Sequence, residues 1–306
     1  MCGIVGLHLK VPALESELGA LVAPMMDCMG SRGADSSGLA IFSAPLAAGR
    51  FRYSVRLDSS VQSDRGEAEL SALVEHLAAA TGQPVECERS RPDGAVLTAV
   101  ADADLVTREL SRIRPDSVVM GFGRSVEIVK DVGSPREVCD RFEITNRRGF
   151  QAVGHTRMAT ESAVTTDHSH PFAPASDLAV VHNGSFSNPA TVRRRLEEQG
   201  IGFVTDNDTE VAARLIAREL SRGRDIEAAL KEVGNEMDGF YTLLVATDQE
   251  IAVVRDSFAC KPLVVAETDD YVAFTSEYIA MTTLPGIESA QVFEPKPEEI
   301  HAWKRS

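Results

Sequence analysis

Residues 2–8 read CGIVGLH, directly behind the first methionine. Glycine alternates here with apolar residues, and the run GIVGLHL has the length and composition of a strand. The cysteine at its head admits two readings. It is a small buried hydrophobe in an edge strand, or, once Met1 is removed, the first residue of the mature chain and a nucleophile. A free thiol has a pKa of about 8.5 and is barely ionised at neutral pH, so a catalytic cysteine needs a base beside it. The freed α-amine, with a pKa of about 7.7 to 8.0, would lie within reach of its own Sγ, directly or through one water.

The 306 residues, 43% of them hydrophobic, suffice for a substantial core. A formal charge of −15 repels phosphate backbones and anionic lipid, so neither nucleic acid nor a membrane surface is expected as a partner. The three adjacent arginines in TVRRRLEEQG are followed by acids and read as one solvated helix face. No apolar run approaches the ~18 residues of a membrane helix, and the start lacks the basic and long apolar regions of a signal peptide. The expected compartment is the cytoplasm. Cysteines 2, 28, 87, 139 and 260 show no C-x-x-C or C-x-x-H spacing, which proposes neither a disulfide framework nor a metal site. His168 and His170 stand two apart in TDHSHPF, without a third convergent ligand.

Along the chain, ESELGALVAPMMDCMGSRG has apolar residues at helical spacing before a glycine stop. SSGLAIFS and RFRYSVRL then read as two strands of a hairpin. From about residue 61 to 142 the character changes. Amphipathic helices (EAELSALVEHLAAATG, DADLVTRELSRIR) alternate with candidate strands (AVLTAV, SVVMGFGRSVEIV), which suggests an insertion within one domain spanning residues 2–306. FQAVGHTRM and LAVVHNG are strands that end in polar residues, NPATVRRRLEEQG, DTEVAARLIARELSRG and DIEAALKEV are helices, and Asp208 stands where a helix cap belongs. The last third is a procession of short strands closed by a helical YIAMTTL. Strands at both ends with helices between them predict a layered α+β fold.

An acyl-transfer cysteine needs donors aimed at the developing oxyanion. VVHNGSFSN supplies Asn183 and Gly184, a side-chain amide beside a backbone N–H that a Cβ would otherwise crowd. Taken alone, Asn-Gly is as well read as a tight turn. In GHTRMATES, Arg157 at a strand end can fork onto a carboxylate, and Thr156 and Thr160 add hydrogen bonds to a ligand, although lone arginines usually face solvent. Asp208 in DNDTEVAARL is either a helix cap or the partner of a ligand ammonium. Together Arg157 and Asp208 would clamp the charged ends of a free α-amino acid.

CGIVG, SRGADSSGLA, GHTRMAT, HP, VVHNGSFSN and DNDTE, in this order, resemble the class II glutamine amidotransferase domain of the N-terminal nucleophile (Ntn) hydrolases. DGFYTLLV and RDSFACKPLVV are similar to the end of that domain. The resemblance implies a four-layer αββα sandwich of the Ntn type. It implies Cys2 as nucleophile with its own amine as base, Asn183 and Gly184 as oxyanion hole, Arg157 on the glutamine α-carboxylate and Asp208 on its α-ammonium. Arg32 and Gly33, in SRGADSSG, match the motif that shapes the substrate pocket. Many members have an aromatic residue after the arginine and a histidine in the place of Glu161, whereas this chain has Met158 and Glu161.

SVEIVKDVGSPREVCDRFEI together with GHTRMATESAVTT resembles the stand-alone amidotransferase-like subunit of glutamate-synthase-like and N-methylglutamate synthase complexes. That implies glutamine as ligand, a hetero-oligomer with a flavin-dependent synthase partner, and FMN and an iron–sulfur cluster carried by partner subunits, with no cofactor in this chain. Only about thirty residues follow Ser276, and there is no GxGxxG in a strand-to-helix context, so acceptor chemistry is expected elsewhere. Two other readings stand beside this one: an N-terminal cysteine hydrolase of another amide, and a non-catalytic assembly or glutamate-binding subunit.

Overall fold

The computed structural model describes residues 2–57, 65–91, 94–158 and 164–305. In chain order the strands are β1 (Gly3–Leu9), β2 (Ser36–Phe42), β3 (Phe51–Arg56), β4 (Val85–Arg91), β5 (Gly94–Ala99), β6 (Val118–Gly123), β7 (Val126–Val132) and β8 (Gln151–Arg157). They continue as β9 (Leu178–Phe186), β10 (Gly239–Thr247), β11 (Glu250–Arg255), β12 (Val264–Glu267), β13 (Tyr271–Thr275), β14 (Gln291–Phe293) and β15 (His301–Lys304). The helices are α1 (Leu18–Cys28), α2 (Arg65–Thr81), α3 (Ala103–Ile113), α4 (Pro135–Arg141), α5 (Pro189–Glu197), α6 (Asp208–Ser221) and α7 (Ile226–Glu236).

Among the described residues the strands form a large sheet ordered β14-β12-β13-β1-β8-β2-β7, a second sheet ordered β15-β11-β10-β9, and a third ordered β4-β5-β3-β6. Among the described residues every pairing in the first two sheets is antiparallel, with β1 at the centre of the large one between β13 and β8. All seven residues of β1 are buried, because both of its faces are covered. Alternation along the strands assigns those faces. Ile4, Ala40, Phe42 and Val153 of the large sheet meet Val181, Leu244, Ala246 and Val253 of the second in one apolar layer. Val5, Leu7, Leu39 and Ile41 point the other way, against Val22, Met25 and Met26 of α1 and Val138 of α4. On the far side, Val180, Leu243 and Val245 pack on Val211, Leu215 and Ile216 of α6 and on Leu230 and Val233 of α7. The order is helix, sheet, sheet, helix, the four-layer αββα sandwich.

Gly6 marks how closely the sheets approach: a Cβ there would stand 2.7 Å from Leu244 Cδ2. The third sheet has its own core, in which Tyr53, Val55 and Leu97 pack on Leu73 and Leu77 of α2 and on Val106 and Leu110 of α3. It is tied to the large sheet where Ser54 Oγ accepts a 2.8 Å bond from the Ile128 amide and where Arg89 pairs with Glu127 at 3.2 Å.

Four local expectations change. The small sheet and its helices run from Phe51 to Gly123, so the added block begins ahead of residue 61 and ends ahead of residue 142. The strand β7 and the helix α4 belong to the main sandwich. SSGLAIFS and RFRYSVRL do not form a hairpin: β2 pairs with β7 and β8, while β3 pairs with β5 and β6 in the other sheet. Both readings failed because alternation specifies a strand and not its partner. Asp208 is the first helical residue of α6 and Asn207 is the cap, its Oδ1 accepting from the Thr209 amide at 2.8 Å. YIAMTTL contains only a short 3-10 turn, Tyr278–Met281.

Helix α1 reaches the sheet only because Gly19 lies on the backbone of the turn at Ile144–Asn146: a Cβ there would stand 1.9 Å from Ile144 O and 2.8 Å from Arg147 N. Main-chain atoms cannot swing aside as a side chain can, so Gly19→Ala should lower the unfolding free energy by about 1–3 kcal/mol, an overpacking cost read by denaturant titration.

Candidate active site

Strand register determines what stands beside Cys2. Gly3 pairs with Thr156, so the half-buried Cys2, one residue earlier, comes level with Arg157 at the end of β8. The segment is gripped from both sides. The Cys2 carbonyl accepts a 3.0 Å bond from Arg32 Nε, and Arg32 Nη1 is held at 2.6 Å by Glu277. The Ile4 amide donates to Ser276 Oγ at 2.9 Å, and the Ser276 amide donates back to Ile4 O at 3.1 Å. These contacts fix the backbone, and among the described residues Sγ makes only a long 3.9 Å contact to Met158 O. Gly33 presses on the other side of Arg157, where a Cβ would stand 2.5 Å from its carbonyl carbon, and the Asp35 amide donates to Arg157 O at 3.1 Å. The RGAD turn thus braces the arginine-bearing strand end.

The second group comes from β9. Ala179 and Val181 face the apolar layer, and Asn183 continues their row to the end of the strand. Asn183 is only 4% exposed, and its Nδ2 is buried with no hydrogen-bond partner among the described residues. A buried amide donor left unpaired costs about 1–3 kcal/mol, which the fold retains here. Gly184 has φ +150°, and a Cβ would stand 2.0 Å from Phe240 O, so the position accepts no side chain. The carboxylate of Asp208 accepts from the Phe186 amide at 2.9 Å through Oδ2 and from the Thr209 hydroxyl at 3.3 Å through Oδ1. It stands at the N-terminus of α6, where the helix dipole favours a negative charge.

Histidines join the two groups. The ring of His170 lies 4.0 Å, centroid to centroid, from that of His155, two residues before Arg157. Its Nε2 meets Thr209 Oγ1 at 3.0 Å, and His182, next to Asn183, meets the same hydroxyl through Nδ1 at 2.8 Å. The loop carrying His170 is anchored by Lys130, whose Nζ donates to Ser169 O at 2.8 Å and reaches Pro171 O at 3.3 Å. Burial lowers that lysine to about 8. Cys2, Arg157, Arg32 and Gly33 therefore share one end of the sandwich with Asn183, Gly184 and Asp208. Thr160 and Glu161 lie outside the described residues. Met158 is exposed. His168 turns away from His170, to Asp206 at 2.7 Å and Thr165 at 2.8 Å. Sequence reasoning missed Ser276 and Glu277, which carry no local signal. It also missed Thr209, His155 and His182, although each of these lies within two residues of Arg157, Asn183 or Asp208.

Residues 155–283 match the glutamine amidotransferase domain family. The glutamine amidotransferase-like protein GlxB of Rhizobium meliloti is 46% identical over 303 residues, covering 99% of this chain and 98% of that protein. The chain belongs to the class II glutamine amidotransferase family. A further relative, from Methanothermobacter thermautotrophicus, is 31% identical over 99% of the chain and 100% of its own length. In fold the amidotransferase is similar to glutamine phosphoribosylpyrophosphate amidotransferase from B. subtilis, with a TM-score of 0.56 at 19% identity. It is also similar to the allosteric regulatory enzyme of purine biosynthesis, with a TM-score of 0.58 at 20% identity. It spans 49% and 47% of those two chains, about half of each, and 100% and 99% of its own length is covered.

Burial holds His155 and His170 uncharged: desolvation lowers His155 to about 3 and His170 well below its ordinary value. A histidine neutral in the fold but free to protonate when unfolded adds nothing to stability above the unfolded pKa of about 6.5 and penalises folding as pH falls below it. For His155 the penalty at pH 5 is about 2 kcal/mol. The loss of unfolding free energy between pH 7 and pH 5, followed by urea titration, should be smaller by about that amount in His155→Gln, whatever its baseline.

Proposed function

We propose that this chain is the glutaminase subunit of a synthase complex, with Cys2 as an N-terminal nucleophile exposed by removal of Met1. The Cys2 thiol gives its proton to the freed α-amine, and the resulting thiolate adds to the glutamine side-chain carbonyl carbon. The resulting oxyanion lies against the Asn183 amide and the Gly184 N–H. Collapse of this intermediate breaks the C–N bond; the α-ammonium returns the proton to the departing nitrogen, releasing ammonia and leaving a thioester. Water, deprotonated by the same amine, then releases glutamate and the thiol. Arg157 would hold the α-carboxylate and Asp208 the α-ammonium, while Arg32 and Gly33 would keep the nucleophile and Arg157 in place. The observation that carries this reading is the buried Asn183 Nδ2 without a partner, a preorganised donor of the kind that acyl transfer uses.

Ammonia would pass to a flavin-dependent, glutamate-synthase-like or N-methylglutamate-synthase-like partner that carries FMN and an iron–sulfur cluster. The stand-alone GlxB-like relative, of the same length, supports a separate acceptor subunit. So does the exposed pair Phe240 and Phe258, whose rings lie 5.2 Å apart, Phe240 pairing with Ser185 on the strand that carries Asn183. Exposed apolar surface of this kind is a common mark of protein contact. The cytoplasm fits such a complex, and no helix among the described residues is long and apolar enough to cross a membrane.

In a glutaminase assay of the native complex, Cys2→Ala should abolish glutamate release and Asn183→Ala should reduce kcat by about 10² to 10³. Equal turnover by wild type and Cys2→Ala would refute the thioester route. Affinity-tagged chain purified from its own cells should bring down a flavin-containing subunit, and Phe258→Ser should weaken that recovery while glutaminase activity persists. Recovery of the tagged chain with no flavoprotein would refute the partner.

A further inference from the structure

The hydroxyl of Thr209 meets three polar groups. His182 Nδ1 lies at 2.8 Å, His170 Nε2 at 3.0 Å and Asp208 Oδ1 at 3.3 Å. Thr209 is 1% exposed, so bulk solvent does not reach this arrangement. A hydroxyl has one proton to give and two lone pairs to receive with, whereas an ionised carboxylate only accepts. The proton of Thr209 must therefore go to Asp208, and both imidazoles must donate N–H to the hydroxyl oxygen. That assigns the tautomers: His182 carries its hydrogen on Nδ1 and His170 on Nε2.

An independent observation agrees with this assignment. The other ring nitrogens, His182 Nε2 and His170 Nδ1, are buried with no hydrogen-bond partner among the described residues. In the assigned tautomers these are bare lone pairs, which the interior tolerates better than orphaned N–H groups. In the opposite tautomers, or in imidazolium rings, they would be unpaired donors. His182 Nε2 faces Gly184, where a Cβ would stand 2.9 Å from it, so the ring and the absent side chain fit together.

We infer that Thr209 is a positioning residue that aims the Asp208 carboxylate at the substrate α-ammonium, with His182 and His170 fixing the direction of its proton. This rests on the glutamine reading above. The Phe186 amide holds Oδ2 and Thr209 holds Oδ1, so without the hydroxyl Oδ1 keeps only the longer 3.9 Å approach of His182 Nδ1 among the described residues, and the carboxylate is held less firmly. The network also makes β9, α6 and the His170 loop one unit, so that the same hydroxyl ties the ammonium site to the strand bearing Asn183.

The test compares two ligands that differ only in the α-ammonium, L-glutamate and glutarate, by calorimetry on the full chain, together with KM and kcat for glutamine in the native complex. Thr209→Val should weaken L-glutamate tenfold or more and raise the glutamine KM by a similar factor, with kcat and glutarate affinity changed less than threefold. Thr209→Ser should restore both constants. Equal weakening of both ligands by Thr209→Val, or of neither, overturns the inference. Nitrogen-15 spectra of histidine-labelled chain should show His182 as the Nδ1–H and His170 as the Nε2–H tautomer, and either opposite tautomer also overturns it. Wild-type chain that binds L-glutamate no better than glutarate, with the assigned tautomers present, defeats the glutamine reading itself and removes the ammonium role with it.

Discussion

The apolar layer between the two sheets is the constraint from which the rest of the arrangement follows. Gly6 against Leu244 sets how near the sheets come, and Phe42, Phe150 and Val253 fill the remaining space. A layer packed to this density has no room for an unpaired polar side chain at its centre. Polar groups on the inward rows of β8 and β9 therefore appear only at the strand ends, as His155 and Arg157 on one and Asn183 on the other. The site is where the dry layer stops.

That placement has an electrostatic consequence. At the edge of the layer, groups are buried enough for directed hydrogen bonds to matter and open enough for a ligand to reach them. The neutral histidines, the Asp208 carboxylate at a helix N-terminus and the spare donor of Asn183 are held by the fold before any ligand arrives. The arginine at position 32 acts in the same way on Cys2: it holds the Cys2 carbonyl while Glu277 neutralises it.

Much of this was legible from local pattern. Apolar runs such as LAVVHNG and GFYTLLVAT gave strands, and the ordered motifs pointed to four layers. The positions of Cys2, Arg157, Asn183 and Asp208 stood out because each is a polar residue at the end of an apolar segment. The partners that fix these residues were not legible. Glu277 lies far along the chain from Arg32, and Thr209 reads as one more residue in a helix start, because a hydroxyl hub exists only when three separate elements converge on it.

The sequence by itself determined the types of element, the inward and outward rows of each strand, and which residues have chemistry to offer, since these depend on periodicity and side-chain type within a short window. Only the tertiary structure decided that β2 pairs with β7 and β8 and not with β3, that the added sheet begins at Phe51, and that His170 bridges two strand ends. The reason is physical. Strand pairing and proton direction are set by neighbours distant along the chain, and a local pattern specifies that a group needs a partner without specifying which one the fold supplies.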